Sequence, residues 1–192
     1  LTSGPASIDL AALRWSLARA DVRLGEGESV THFAAASLNG RATPKGMAGD
    51  LRGASGKIGA VPLNMSEIGG QWRFEKGALT LDGGLLLTDA APEPRFFPLV
   101  SNDANLRFAN GIIEAKAGFN ERKTGTKILD TLIRHRLSDS SGSADLTVKE
   151  LRFSEAFQPD QLTSLALGVV ANVQGSVVGD GRIEWTADGG TS

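Results

Sequence analysis

Residues 69–87 read GGQWRFEKGALTLDGGLLL, and apolar and polar side chains alternate along much of this stretch. Trp72 and Phe74 are separated by one polar residue, and so are Leu79 and Leu81. A period of two places successive side chains on opposite faces of a β-strand. The glycine pairs at positions 69–70 and 83–84 predict turns. The stretch therefore predicts antiparallel strands that share one apolar face.

The same combination of alternation and turn residues recurs along most of the chain. Turn centres are roughly 14 residues apart, which suits strands of roughly 5 to 10 residues joined by loops of roughly 2 to 5. This spacing predicts a meander of roughly nine to eleven strands, wide enough for native twist to curl the sheet, split it into two layers or close it. The other predicted turns are centred on Gly25-Glu26-Gly27, Asn39-Gly40, residues 53–56, Pro98, Asn110-Gly111, Gly125 and Gly179-Asp180-Gly181.

Two segments depart from this pattern. Residues 127–137 have an apolar spacing that fits a helix face, but the flanking turn residues favour a further strand. Residues 157–165 place Pro159 before apolar residues at helical spacing, which predicts a short helix. No proline-rich or charged linker divides the chain. We therefore predict a single, mainly β domain over residues 1–192: a broad curled antiparallel sheet, either an open groove or a partly closed sandwich, with at most one or two short helices.

Composition and charge exclude several classes of function. The 192 residues include 20 Lys and Arg against 22 Asp and Glu, a formal net charge of -2, and no basic stripe, so we expect no nucleic-acid partner. The absence of cysteine rules out disulfides, thiolate metal sites and cysteine nucleophiles. The longest nearly apolar run, residues 165–173, is too short to span a membrane. Because the chain starts at Leu1 without a signal-like segment, we expect it to be part of a longer protein.

No constellation of residues in the sequence indicates catalysis. The two histidines, His32 and His135, are far apart and have no neighbouring histidine, so we expect no metal site. Asp89 and Glu93 near Arg95 are expected to be solvated turn charges rather than a carboxylate pair for glycoside hydrolysis. Phosphate-loop and dinucleotide-binding glycine patterns are incomplete. We therefore predict no catalytic residue, no metal, no cofactor, and a protein that is not an enzyme.

The apolar face of the predicted sheet has to be covered. Fully burying one large aliphatic or aromatic side chain is worth about 1.5 to 3 kcal/mol, so a whole row of them is not left in water. A second sheet layer, a packed helix or a ligand with a long apolar surface would cover it. An ordinary protein core produces the same alternation. The candidate groove residues are Trp72, Phe74, Leu79, Leu81, Leu85, Leu87, Phe108, Ile113, Phe119, Leu146, Val148 and Phe153.

An ordered series of short motifs, over roughly residues 70–187, resembles a known family. The series is similar to that of the YdbH-like family, often labelled a dicarboxylate transport domain, within the AsmA and TamB superfamily of bacterial intermembrane proteins. Arg136 departs from it, since an acidic residue is expected after His135. The motifs are Gly77-Ala78-Leu79-Thr80-Leu81, Arg95-Phe96-Phe97-Pro98-Leu99, His135-Arg136-Leu137, Gly142-Ser143-Ala144-Asp145-Leu146, Leu151-Arg152-Phe153, Phe157-Gln158-Pro159, Leu162, Leu165, Gly168-Val169-Val170, Val173-Gln174-Gly175, Val177, Gly179, Gly181, Ile183 and Trp185.

This resemblance implies a function in lipid transport. The implied fold is a curled sheet whose apolar groove carries phospholipid between the inner and outer membranes, with phospholipid acyl chains as the ligand. The implied location is the bacterial periplasm, with the parent protein anchored in the inner membrane and serving the cell envelope and outer membrane integrity. Neighbouring segments of the same parent chain, and inner- and outer-membrane proteins, are the implied partners. No cluster of Arg and Lys suited to paired carboxylates supports the dicarboxylate label.

Two other functions compete with lipid transport at this point. A closed β-sandwich or barrel would use the same alternation for an internal core, and would act as a scaffold or partner-binding module without lipid transport. A glycan-acting enzyme on a β scaffold would need two carboxylates brought together by the fold. A closed core and an open groove differ in whether the protein itself covers the apolar face.

Overall fold

One antiparallel sheet accounts for most of the structure. The computed structural model describes residues 2–24, 31–57 and 63–186. Within these residues, twelve strands follow one another in sheet order as in the chain, except that β1 and β2 both pair with β3. The strands are β1 (Thr2–Ser3), β2 (Ala6–Asp9), β3 (Arg14–Leu24), β4 (Thr31–Thr43), β5 (Gly46–Lys57), β6 (Leu63–Glu75), β7 (Ala78–Asp89), β8 (Leu99–Ala109), β9 (Ile112–Glu121), β10 (Lys127–Arg136), β11 (Gly142–Phe153) and β12 (Gly175–Trp185).

The sheet is curled and open. β12 forms one edge, β1 and β2 form the other, and no pairing joins these edges within the described residues. The predicted broad antiparallel meander is therefore confirmed, as is the strand predicted over residues 127–137, which is β10. In the part of the chain that the structure describes, helical residues are confined to 3-10 turns at Pro159–Gln161 and Ser164–Ala166. None of these helical segments is long and apolar enough to cross a bilayer.

Five predicted turns are wrong because their glycines lie inside strands. Gly70 of β6 pairs directly with Gly83 of β7. A Cβ atom on Gly70 would lie 2.7 Å from the Gly83 Cα and would collide with the Asp82 carbonyl, so these glycines permit two backbones to approach closely. The wrong turns are those at Asn39-Gly40, 53–56, 69–70, 83–84 and Gly179-Asp180-Gly181, whereas those at Asn110-Gly111 and Gly125 are confirmed and the one at 25–27 lies outside the described residues.

Register shifts between neighbouring strands lie side by side across the sheet and account for its curl. Each register shift inserts extra backbone on one strand, which bends that strand and increases its local twist. We call this row of shifts the bulge line. It runs through Leu51 to Gly56 in β5, Ser66 to Gly69 in β6, Gly83 to Leu85 in β7, Val100 to Asn105 in β8, Lys127 to Leu129 in β10 and Val148 to Leu151 in β11.

The strand register separates an apolar face of the sheet from a charged face. Residues paired directly across neighbouring strands point to the same side. Trp72 of β6 pairs with Leu81 of β7, which pairs with Leu106 of β8. This apolar row continues through Ala115, Ile133 and Ala144 to Ile183, whereas the row one residue away on the opposite face is Gln71, Asp82, Asn105, Lys116, Leu132, Asp145 and Arg182.

A small core occupies one part of the apolar face. The connection between β11 and β12, residues 154–174, inserts Phe157 into a cluster that also contains Leu99, Phe119, Ile128 and Leu151. The loop at 90–98 packs on the same cluster through Phe96, and its Phe97 N–H donates to the Leu162 carbonyl over 2.8 Å. We call this part, on β7 to β11, the covered half. The open half is the part of the apolar face between the bulge line and the turns at 76–77 and 110–111.

Candidate functional site

The twelve candidate groove residues lie in two different environments. Seven lie in the open half, where neighbouring strands place apolar side chains in direct cross-strand pairs, as between Trp72, which is 8% exposed, and Leu81. The other five are in or against the buried cluster of the covered half. The open-half candidates are Trp72, Phe74, Leu79, Leu81, Phe108, Ile113 and Leu146, and the covered-half candidates are Leu85, Leu87, Phe119, Val148 and Phe153.

The open half also contains apolar residues outside the twelve candidates. Leu106 lies opposite Leu81. Its alternation with Phe108 is the same signal that identified its neighbours. Met47 of β5 lies opposite Phe74, and these side chains are 36% and 45% exposed. No apolar alternation surrounds Met47 in the sequence, so only the strand register places it on this face.

The Trp72 indole extends across a neighbouring strand of the open half. Its Nε1–H donates to the Asn39 carbonyl of β4 over 2.9 Å, although Trp72 belongs to β6. The strand between them, β5, has Gly49 at the paired position, so no side chain obstructs the ring. The Trp15 ring lies beside it, with ring centroids 5.8 Å apart. Since the Trp72 indole nitrogen has a partner, this ring adds apolar surface to the open half without an unsatisfied polar atom.

Two further tryptophans face a glycine of the neighbouring strand. Trp15 pairs with Gly40 and Trp185 pairs with Gly142. A Cβ atom on either glycine would lie 2.5 Å from a carbon of the indole ring. Glycine at these positions therefore gives the ring room to lie against the sheet backbone.

The two histidines make structural contacts in separate parts of the sheet. The Nδ1 atom of His135 accepts a hydrogen bond from the Trp185 Nε1–H over 3.2 Å. His32 of β4 contacts the Asp21 carboxylate of β3 over 2.8 Å. Both histidines thus support local pairing of strands and do not converge on one site.

The charged face is covered with ion pairs between neighbouring strands. The Asp130 carboxylate contacts the ammonium groups of Lys127 and Lys149 at 2.7 and 3.0 Å, and these contacts lower the pKa of Asp130. Arg134 contacts Glu114 at 3.0 Å. Among the described residues, no group of acidic or histidine side chains is placed to hold a metal ion. The paired charges keep this side of the sheet hydrated and make it unsuited to acyl chains.

Asp89 is a buried anchor of the 90–98 loop, and its prediction as a solvated turn charge is wrong. Its side chain is fully buried beside Arg95, whose Nε donates to it over 2.6 Å. The backbone N–H groups of Ala91 and Arg95 donate to the same carboxylate over 3.0 and 2.9 Å. These donors, the Arg95 side chain first, lower the pKa of Asp89 well below its usual range. Burial with four hydrogen bonds could not be read from the residue types alone.

We expect Asp89→Asn to lower the free energy of unfolding at neutral pH and to weaken its dependence on acid pH. The unfolded carboxyl has a pKa of about 3.9, and the folded pKa is lower, so the ionised group stabilises the fold above that pH. This stabilisation is lost as the pH falls through the lowered pKa. Urea unfolding at a series of pH values measures both effects. Glu93→Gln, at an exposed position of the same loop, is the control, and an unchanged pH dependence in Asp89→Asn would contradict the assignment.

Comparison with known proteins identifies a family that the whole chain matches. The model of the YdbH-like family, described as intermembrane phospholipid transport protein YdbH, matches residues 2–192. The match extends well beyond the residues 70–187 that carry the sequence resemblance. Neither a curated protein nor a solved structure matches the chain.

Proposed function

Because the chain belongs to the YdbH-like family of intermembrane phospholipid transport proteins, we propose that the apolar face of its curled sheet carries phospholipid acyl chains. In this proposal the chain is a periplasmic segment of a longer protein anchored in the inner membrane, and lipid passes along it between the inner and outer membranes. The observation that carries the proposal is the open half, a continuous apolar surface opposite a face of paired charges.

The dimensions of the open half suit acyl chains. Strands lie about 4.8 Å apart, so the rows from β3 to β12 extend over roughly 45 Å. Along β7, the stretch from Ala78 to Gly83 measures roughly 17 Å. Each methylene group sheltered from water on such a surface contributes about 0.8 kcal/mol. Contact of this kind is independent of chemical detail, which suits a transport path better than a selective binding pocket.

Only part of the apolar face is assigned to lipid. Leu85, Leu87 and Phe119 pack on the Phe157 cluster, so we assign them to the protein core. Residues of the open half, such as Leu81 and Phe74, are assigned to acyl-chain contact. No catalytic step is assigned, because the carboxylates described above are engaged in ion pairs or loop anchoring.

Fluorescence quenching tests whether acyl chains reach the open half. A variant with Trp15→Phe and Trp185→Phe retains Trp72 as its single tryptophan. Titration with phospholipid brominated in its acyl chains should quench this fluorescence. A matched control adds Trp72→Phe and Gln71→Trp, which moves the reporter by one residue to the charged face. Equal quenching of both reporters, or none of Trp72, would contradict the proposal.

A further inference from the structure

The connection between β11 and β12 is a firmly anchored segment. Phe157 is 3% exposed in the core, and Ala166 of the second 3-10 turn is also buried. The Gln158 side chain accepts from the Val173 N–H over 2.9 Å and donates to the Val173 carbonyl over 3.0 Å. These two hydrogen bonds hold the ends of residues 157–173 together. Within the segment, the Thr163 hydroxyl caps the second 3-10 turn by accepting from the Leu165 N–H.

This anchored segment displays aliphatic side chains to solvent. Four of them are between 46% and 77% exposed: Leu165, Leu167, Val169 and Val170, which we call the aliphatic patch. Residues 161–179 contain no charged side chain, although 22% of the whole chain is charged. Because the segment is tied down by the contacts of Phe157 and Gln158, the exposure of the patch is part of the folded structure. Exposed apolar groups concentrated in this way mark an interaction surface.

The chemistry of the patch favours a bilayer over a protein partner. Protein interfaces rely on aromatic and arginine anchors with polar partners around them, and residues 161–179 contain neither Trp, Tyr, Phe nor Arg. Binding at the boundary between headgroups and acyl chains grows with the apolar area buried there, and the four aliphatic side chains supply such area. The patch belongs to the connection that packs on the covered half through Phe157 and Leu162, on the other side of the bulge line from the open half. A family of intermembrane phospholipid transport proteins has bilayers as the source and destination of its lipid.

We propose that the aliphatic patch docks on a phospholipid bilayer and brings the end of the sheet to the membrane surface. This inference rests on the proposed lipid-carrying function, because docking places the apolar face beside the membrane that supplies or receives the lipid. Leu165, Leu167, Val169 and Val170 enter the interface, while Phe157 keeps the segment attached to the sheet.

Vesicle flotation tests this docking. The purified 192-residue chain is mixed with vesicles of phosphatidylethanolamine and a minority of phosphatidylglycerol, and the fraction that floats with them is measured. We expect the wild-type chain to float, and Leu167→Asp and Val169→Asp each to reduce the bound fraction at least about tenfold. Ser138→Asp adds the same charge at an exposed position outside residues 161–179, and should float like the wild type. Wild-type flotation by the Leu167 and Val169 variants, or no flotation of the wild type, would overturn the docking.

A second readout separates this inference from the function on which it rests. Short-chain brominated phospholipid below its micelle concentration tests access to Trp72 without a bilayer. We expect Leu167→Asp, in the background that retains only Trp72, to be quenched as strongly as its parent. Loss of flotation with retained quenching therefore supports docking, whereas absent quenching in the parent contradicts the lipid-carrying function itself.

Discussion

Replacing Phe157 by alanine should lower the free energy of unfolding by about 3 to 5 kcal/mol, the range for truncation of a buried phenylalanine. The side chain is 3% exposed and stacks on Phe153 with ring centroids 5.8 Å apart. Its backbone exchanges hydrogen bonds with Ser154 at 3.0 and 3.1 Å, and these bonds do not depend on the ring. Because they oppose collapse of the main chain into the cavity, we expect a cost in the upper part of the range.

Urea unfolding followed by circular dichroism measures this loss. Phe97→Ala is the matched control, because Phe97 belongs to the neighbouring loop and is 38% exposed. Its removal should cost much less. A loss for Phe157→Ala as small as that for Phe97→Ala would contradict the description of residues 154–174 as a packed cover of the sheet.

Leu81→Asp should weaken phospholipid binding at least about tenfold, equivalent to about 1.4 kcal/mol. Leu81 lies between Trp72 and Leu106 on the open half. The substitution removes an apolar contact worth about 1.5 to 3 kcal/mol when complete. It also places a carboxylate where acyl chains would have to displace its water.

Thr80→Asp provides the control for this substitution. Thr80 is the preceding residue of β7, and its neighbours across the sheet are Arg73 and Arg107 on the charged face. The same charge introduced there should leave lipid binding unchanged. Native mass spectrometry of the purified variants compares bound phospholipid, with circular dichroism to verify folding. Equal loss in both variants, or wild-type binding by Leu81→Asp, would exclude the open half as the lipid surface.

The predictions that succeeded from sequence rest on side-chain periodicity. Alternation at Trp72 and Phe74, and again at Leu79 and Leu81, predicted strands with one apolar face, because the period of a strand is a local property of its backbone. Flanking turn residues likewise favoured β10 correctly. The residue types also excluded cysteine chemistry outright.

The turn predictions failed where glycine has a tertiary role. Gly70 and Gly83 lie opposite each other in mid-strand, where their missing side chains permit close backbone contact. In the turn at Asn110-Gly111, glycine instead provides a positive φ, which its neighbour Asn110 also adopts. Close backbone contact and a positive φ both favour glycine, because it has no side chain. The sequence alone therefore does not distinguish the two roles.

The sequence by itself determined that this protein forms a broad antiparallel sheet with one apolar and one charged face, since both follow from alternation within each strand. Only the tertiary structure decided which apolar residues are core and which lie on the open half. Leu81 and Leu87 occupy equivalent positions in the alternation of β7, yet Leu87 packs against the Phe157 cluster and Leu81 does not. The difference arises from residues 154–174, which fold back onto one part of the sheet. That contact joins residues distant in sequence, so local periodicity carries no information about it.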